Sequence, residues 1–354
     1  MKVTMRDVAH SANVSRSAVS NFFNRPDLVS EASARRIAAA VERLGYIPNA
    51  AARNLRLGNS HTLGLILMDS TLPFFADFSR GVDDGATEHG WSVLSANANH
   101  QASRERHYFE LFASWNVDGV IVFPTGDVTD SLHMLKSRGI GAVVVGSTSP
   151  DPECDSVWID DKLGGEIVGS HLVATGCQSI AFVGDIRQDV VNARYQGLRA
   201  ATKGFRDVQV TLVEIPALDM ASGVVAGQRL AQSVRAGKVD GVFACTDVVA
   251  SGVLQAFLHS SIQVPADVSV VGFDDSDQSA QLVVPLTTIR VPAREIGRTS
   301  VQLLSEALAS PDRATGAHQI FQPTLIRRQS TKATIARKVP PVQAVLTPRV
   351  GVTS

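Results

Sequence analysis

From residue 62 onward, short apolar runs alternate with longer amphipathic stretches, and this alternation leaves few folds open. The runs are Leu63–Met68, Ser92–Ser95, Gly119–Phe123, Ala142–Val145, Val157–Ile159, Ile180–Val183, Val210–Val213, Gly241–Ala244 and Val268–Phe273. Segments with helical spacing lie between most of them, among them Phe75–His89, Ala102–Trp115, Lys162–Thr175, Asn192–Thr202, Ser222–Arg235 and Asp247–His259. Strand–helix alternation points to parallel sheets covered on both faces, because parallel neighbours need a crossover connection. About 270 residues of it exceed one typical open sheet, so two α/β lobes are expected.

In open α/β sheets, ligands bind beyond the carboxyl ends of the strands. Polar residues just after the apolar runs are therefore candidates: Asp69, Ser70, Asp160, Asp185, Thr246, Asp247 and Asp274. Phe74 and Phe75 open the first helical stretch and suit a pocket wall. Arg194, expected in the first turn of the helix after Val183, suits a clamp on an anionic or hydroxylated ligand. Any one of these carboxylates can equally be a loop residue or a helix cap. Their shared placement at strand ends is what singles out the set.

The first 58 residues read differently. Thr4 before MRDVAHSA predicts a short capped helix, with Asp7 at its positive end and Val8, Ala9 and Ala12 facing a core. Asn13-Val14 makes a turn, and Ser15 caps a second helix over Arg16–Asn24. On it Ala18, Val19 and Phe22 face inward, while Arg16, Ser17, Ser20 and Asn21 face out. Ser30 caps a third helix, with Ile37, Ala38, Val41 and Leu44 at core spacing and Gly45 as its stop. Three short helices with a tight first turn form a helix-turn-helix unit, whose second helix enters the major groove. Arg16 and Ser17 then lie at base edges, with Asn21 one turn later. Arg pairs with guanine and Asn with adenine through two hydrogen bonds each. Three amphipathic helices with merely solvated polar faces fit the pattern as well.

Tyr46-Ile47-Pro48-Asn49 leads into AAARNLRLG, where Asn49 can cap a helix over about residues 50–57. A helix this short persists in water only when docked against something. Ala51 and Ala52 allow close approach, and Leu55 between Arg53 and Arg56 suits an apolar wedge in a minor groove with the arginines on phosphate. An ordinary linker helix is the plainer alternative.

Charge separates the two parts. Residues 1–58 hold nine Lys/Arg against four acids, and the rest of the chain holds 24 against 30. A basic head on an acidic body places any polyanion at the head. Three scattered cysteines (Cys154, Cys177, Cys245) read as reduced thiols rather than a disulfide or metal set. No stretch has the roughly 20 apolar residues of a membrane span. The opening MKVTMRDVAHSANVS has no apolar core, so no secretory signal is read and a cytoplasmic location is expected.

The string VTMRDVAHSANVSRSAVSNFFNRPDLVSEASARRIAAAVERLGYIPNAAARNL resembles the head and hinge of the lactose-repressor/galactose-repressor (LacI/GalR) family of transcriptional regulators. The shared elements are the opening T-x-x-D-V-A, the A-x-V-S-x-x-x-V-S around the turn, the V-S…R helix and the Y-x-P-N…A-R-x-L hinge. The body carries further likenesses in LPFFADFSRGVDDGA, NVDGVIV, the D-D-x-x-G-G run at Asp160–Gly165, ARYQGL, CTDVVASGVL, DVSVVGFDDSD and PLTTIRVPAREIGRTSVQLL. Together the resemblance covers about residues 3–330. It also extends to periplasmic sugar-binding proteins.

The resemblance implies that Arg16, Ser17 and Asn21 read bases, and that Thr4, Ser15, Ser20, Asn24, Tyr46 and Asn49 meet the DNA backbone. It implies that Ala52, Arg53 and Leu55 act in the minor groove. In the body it implies that Arg194 and Asp274 bind the effector, with Asp69, Phe74, Phe75, Asp160 and Thr246 lining the pocket. Where related chains often carry an aromatic ahead of Ser222-Gly223, this chain has Leu218. Arg194 with Asp274 still favours a polyol, sugar or sugar acid.

The expected organisation is a helix-turn-helix domain over 1–46, a hinge helix over 47–58 and an effector-binding and dimerisation domain over 59–330. Within the last, one lobe takes about 62–160 plus 291–321 and the other about 161–289 plus 322–330. Residues 331–354 carry four basic residues and no acids. Without leucine heptads they read as a disordered basic tail, which limits assembly to a homodimer. The expected function is sequence-specific repression through double-stranded operator DNA, controlled allosterically by a sugar-like small molecule, with no cofactor, metal or membrane partner. A corepressor-dependent regulator of nucleoside or other small-metabolite genes is the alternative. A free solute-binding protein fits poorly with the attached head. An enzyme fits poorly too, since Asp274-Asp275 stands outside any recognisable catalytic motif.

Overall fold

The structure, a computed structural model, describes residues 3–46, 60–310, 313 and 315–334. The chain divides into two compact units, Met1–Ser60 and His61–Ser354. The hinge positions Asn49, Ala52, Arg53 and Leu55, and the tail beyond residue 334, lie outside the described residues.

The first unit holds α1 (Met5–Ala12), α2 (Arg16–Asn24) and α3 (Glu31–Leu44), with a 3-10 turn at Pro26–Leu28. α2 and α3 each begin on a serine whose hydroxyl accepts a free helix amide, and α1 begins on a threonine bonded to Asp7. Ser15 accepts the Ala18 amide at 3.0 Å and Ser30 accepts the Ser33 amide at 3.4 Å. The Thr4 amide and hydroxyl both donate to Asp7, at 2.8 and 2.7 Å. Those bonds hold the Asp7 carboxyl below its usual range. Asn13 closes α1 in the left-handed region (φ 51°), which asparagine tolerates better than most residues. The core is Val8, Ala9, Ala12, Val19, Ile37, Ala40 and Tyr46. Ala38, expected inside, is exposed, and Ala40 takes the inward place. From Ile37 the helical repeat returns to the same face after three or four residues, so Ala40 and not its neighbour is in phase.

The second unit builds two parallel sheets. The first has six strands in the order β11-β5-β4-β3-β1-β2: β1 (Thr62–Leu67), β2 (Ser92–Asn97), β3 (Gly119–Val122), β4 (Gly141–Val145), β5 (Asp155–Ile159) and β11 (His318–Phe321). The second has four, ordered β7-β6-β8-β9: β6 (Ser179–Gly184), β7 (Gln209–Glu214), β8 (Gly241–Ala244) and β9 (Ser269–Val271). Both faces of β1 and β3 are buried, which is why these strands read as continuous apolar runs. On β1, Leu63, Leu65 and Leu67 join one core cluster while Ile66 joins the other. On β3, Ile121 faces the first cluster and Val120 and Val122 the second.

The helices expected between strands are α4 (Pro73–Glu88), α5 (Ala102–Ser114), α7 (Asp161–Ala174), α8 (Asp189–Thr202), α9 (Met220–Arg235) and α10 (Asp247–His259). Two more, α6 (Thr129–Ser137) and α11 (Ala293–Ala309), complete the covering layers. One feature departs from the all-parallel expectation. β10 (Thr288–Arg290) pairs antiparallel with β12 (Thr324–Ile326). Arg194 lies in the second turn of α8, not the first, because the helix starts at Asp189.

Candidate DNA-reading surface and effector pocket

In the head, Arg16 and Ser17 are exposed at the amino end of α2, and Ser20 and Asn21 are half-buried one turn on. The Ser17 hydroxyl lies 2.8 Å from that of Ser15. Asn24 donates to the Ser20 carbonyl at 2.7 Å, so its amide is engaged within the helix. Thr4 is exposed but committed to Asp7. Tyr46, expected on the DNA backbone, sits instead in the core at 8% exposure, against Phe23.

In the body, a cleft lies beyond the carboxyl ends of strands from both sheets. Counting the open mouth, the space between its walls is about 810 Å³. Its walls are largely apolar. Phe74 and Phe75 from the first turn of α4 meet Phe123 edge-on, at 5.9 and 5.0 Å between ring centres. Trp158 and Ile159 from β5, and Leu218 after β7, add to the lining. Polar groups are few: His100, Asp161, Gln188, Arg194, Thr246 and Asp274.

Arg194 is the charged centre. It is buried, and its guanidinium stacks 3.6 Å from the centre of the Phe273 ring. Its Nε donates to Asp161 Oδ1 at 2.7 Å and its Nη1 to the Cys245 carbonyl at 2.6 Å. Burial works against its charge, but the carboxylates of Asp161 and Asp274 outweigh that and raise its pKa further. Burial in turn pushes the Asp161 carboxyl up, with Arg194 pulling it back. The glycines of the D-D-x-x-G-G run explain the approach. A Cβ on Gly165 would fall 2.0 Å from the Arg194 carbonyl oxygen, and one on Gly197 would fall 2.0 Å from that of Lys162. Only glycines let α7 and α8 cross this closely and set Asp161 beside Arg194.

Asp274 stands on strained backbone. Its φ is 120° and that of Asp275 is 57°, both in the region that L residues rarely adopt. The kink is clamped from outside. The Asp274 amide donates to the Ile289 carbonyl at 2.8 Å, and Asp275 pairs with Arg290 at 2.7 Å and Arg328 at 2.6 Å. Burial lifts the Asp274 carboxyl well above its usual value, with Arg194 opposing and Asp247 and Asp161 reinforcing the rise. Asp247, one of the strand-end acids, is buried outside the cleft lining. It accepts the Ser276 amide at 2.9 Å and the Thr288 hydroxyl at 2.5 Å, and burial raises it to about 6. It ties β10 to the end of β9.

Of the residues expected in the pocket, Phe74, Phe75, Arg194, Leu218, Thr246 and Asp274 line the cleft together. Asp69 and Asp160 do not, because local bonds take their carboxylates. Asp69 accepts the Thr71 amide and hydroxyl at 3.0 and 2.8 Å. Asp160 caps α7 by accepting the Leu163 amide at 2.9 Å. Asp161, which sequence reasoning passed over, takes the inward place. A capping argument would have found it: an N-cap Asp160 is spent on its helix, leaving its neighbour free. Asp185 likewise pairs outward with Arg187 at 2.7 Å, and that bond lowers its pKa. Among the described residues no cluster of His, Cys, Asp or Glu is arranged to hold a metal, and no helix is long and apolar enough to cross a membrane.

Known proteins carry the same two-part plan. Residues 4–49 match the model for bacterial regulatory proteins of the lacI family, and residues 170–331 match that for a periplasmic binding protein-like domain. The ribose operon repressor of Escherichia coli K12 is 31% identical over 325 residues, spanning 91% of this chain and 94% of that one. The HTH-type transcriptional repressor PurR of Aliivibrio fischeri MJ11 is 28% identical over 330 residues, 92% and 98% of the two chains. Among solved structures, the lac repressor dimer bound to operator and the anti-inducer ONPF aligns with a TM-score of 0.80 at 26% identity, over 94% of this chain and 100% of that one. A regulator of the same family from Enterococcus faecium with bound ribose aligns with a TM-score of 0.69 at 27% identity, over 77% and 98%.

Proposed function

The chain belongs to the LacI family of bacterial regulatory proteins, and on that premise we propose that a sugar or sugar derivative bound beside Arg194 sets how tightly the head holds its operator. The protein is a DNA-binding transcriptional regulator with a separate effector domain. It acts as a homodimer, which presents two heads to two half-sites. One observation carries the effector reading. A buried guanidinium, stacked on Phe273 and flanked by Asp161 and Asp274, is set among aromatic walls at the strand ends. Hydroxyls of a polyol would donate to Asp274 and accept from the Arg194 guanidinium. Apolar ring faces would pack on Phe74, Phe75 and Trp158. On the DNA side, Arg16, Ser17 and Asn21 are the proposed base-reading residues.

Because the sheets carry the pocket on both sides, a ligand that binds one arrangement of them more tightly shifts the protein toward it. DNA affinity then moves by the same factor as ligand affinity on the reciprocal path. Retarded migration of a duplex selected from a random pool, titrated with ribose and other neutral sugars, tests this. Ribose or a related sugar should change the fraction bound, and Arg194→Lys should keep the DNA shift while blunting the response about tenfold or more. A sequence-specific complex that no sugar perturbs would overturn the effector reading.

A further inference from the structure

The pocket holds positive charge, yet none of it is unmatched. Arg194 is engaged by Asp161 at 2.7 Å and by the Cys245 carbonyl at 2.6 Å, with Phe273 covering a face of the guanidinium. Asp274 lines the same cleft, so two carboxylates answer one guanidinium. The other nitrogen base in the lining, His100, faces Asp69 at 3.5 Å. The remaining polar lining, Gln188 and Thr246, is neutral.

We propose that this pocket selects uncharged polyhydroxyl ligands over their carboxylate or phosphate derivatives, and that Asp161 sets the selection by occupying the guanidinium an anion would need. This rests on the polyol reading of the pocket given above. An anionic group entering the cleft must leave water, and a low-dielectric site repays that only with an unmatched cation or several aligned donors. Protonating Asp274 does not change the conclusion, because Asp161 alone matches Arg194 one to one. A neutral hydroxyl needs only a single donor or acceptor, and Gln188, Thr246 and Asp274 provide these. Asp161 thus acts through Arg194 as a positioning residue, and Gly165 is what lets it reach that place.

Titration calorimetry on the full-length protein tests the assignment with matched probes: D-ribose against D-ribonate and D-ribose 5-phosphate, and D-glucose against D-gluconate and D-glucose 6-phosphate. The wild-type protein should bind a neutral member at least about tenfold more tightly than its anionic partners, a ratio that reflects roughly 1.4 kcal/mol. Asp161→Asn should narrow or reverse that ratio, and Asp161→Glu should restore it. The ratio is the readout because a merely structural loss would weaken both classes alike. Equal binding of neutral and anionic members by the wild-type protein would overturn the selection while leaving the polyol pocket standing. Should Asp161→Asn fold poorly, the wild-type ratio and the Asp161→Glu variant still decide the matter. An unchanged ratio in a folded Asp161→Asn protein would remove Asp161 from the role. Failure of every probe to bind would overturn the polyol reading, and this inference with it.

Discussion

In the head, the residues proposed to meet DNA stand on the surface. Arg16 and Ser17 are exposed on a small three-helix unit whose buried core is seven side chains. In the body, the residues proposed to meet the effector sit inside. Arg194 and Asp161 are both buried, and they depend on one another for charge balance. The difference teaches how each region will respond to change. A surface reader can exchange side chains at little cost to its fold, because solvent already satisfies them. A buried charge constellation cannot, since each member keeps another from being stranded.

Cutting the same residue type in the two regions gives the sharpest contrast. Arg194→Ala strands Asp161 and Asp274 in a low-dielectric cleft, and the body should lose about 3–5 kcal/mol of unfolding free energy in urea. An unfolding curve unmoved by that change would mean that the pair is solvated and the contrast false.

Acid sharpens the comparison from another side. His171 is buried in the body, its Nε2 3.0 Å from the Thr331 hydroxyl. Burial first, and Arg327 second, press its pKa from 6.5 down to about 4. An unfolded histidine takes its proton near pH 6.5, and the folded one only near pH 4. Stability from this group is therefore complete above about pH 6.5 and is lost as pH falls toward 4. The gap amounts to ~3 kcal/mol. Thermal unfolding of His171→Gln between pH 7 and 4 should show a flatter fall than wild type over that window.

The head should show the smallest change in stability. Arg16→Ala is expected to move unfolding by no more than about 0.5 kcal/mol. It should nonetheless weaken operator binding by about 1–3 kcal/mol and relax preference at one base position. Binding measured on duplexes varied at single positions checks this. A uniform loss across all positions would mark Arg16 as a phosphate contact instead.

The two regions also differed in how far they could be read from sequence. The head's helices were legible because Thr4, Ser15 and Ser30 punctuate them and the turns are short, and α2 runs over the expected Arg16–Asn24. The reading slipped at Ala38 for Ala40, where small residues on both faces blur the repeat. The central strands, such as β1, β3 and β8, were legible because burial on both faces makes them apolar throughout. The pocket was harder. Its members come from strand ends far apart in the chain, and only the general rule about carboxyl ends pointed to them. Adjacent acids at 160 and 161 looked alike until the helix start decided which one caps. The β10–β12 pair was not legible at all. Its strands are three residues each, separated by α11, and carry no turn signature.

The central claim is that ligand in the body and DNA at the head share one free energy. Ribose affinity, or that of the neutral sugar found to bind best, should be measured by calorimetry on the free protein and again on its complex with the selected operator. The account predicts that the two dissociation constants differ, by the same factor that saturating sugar changes operator affinity. Equal dissociation constants, with both partners demonstrably bound, would contradict it.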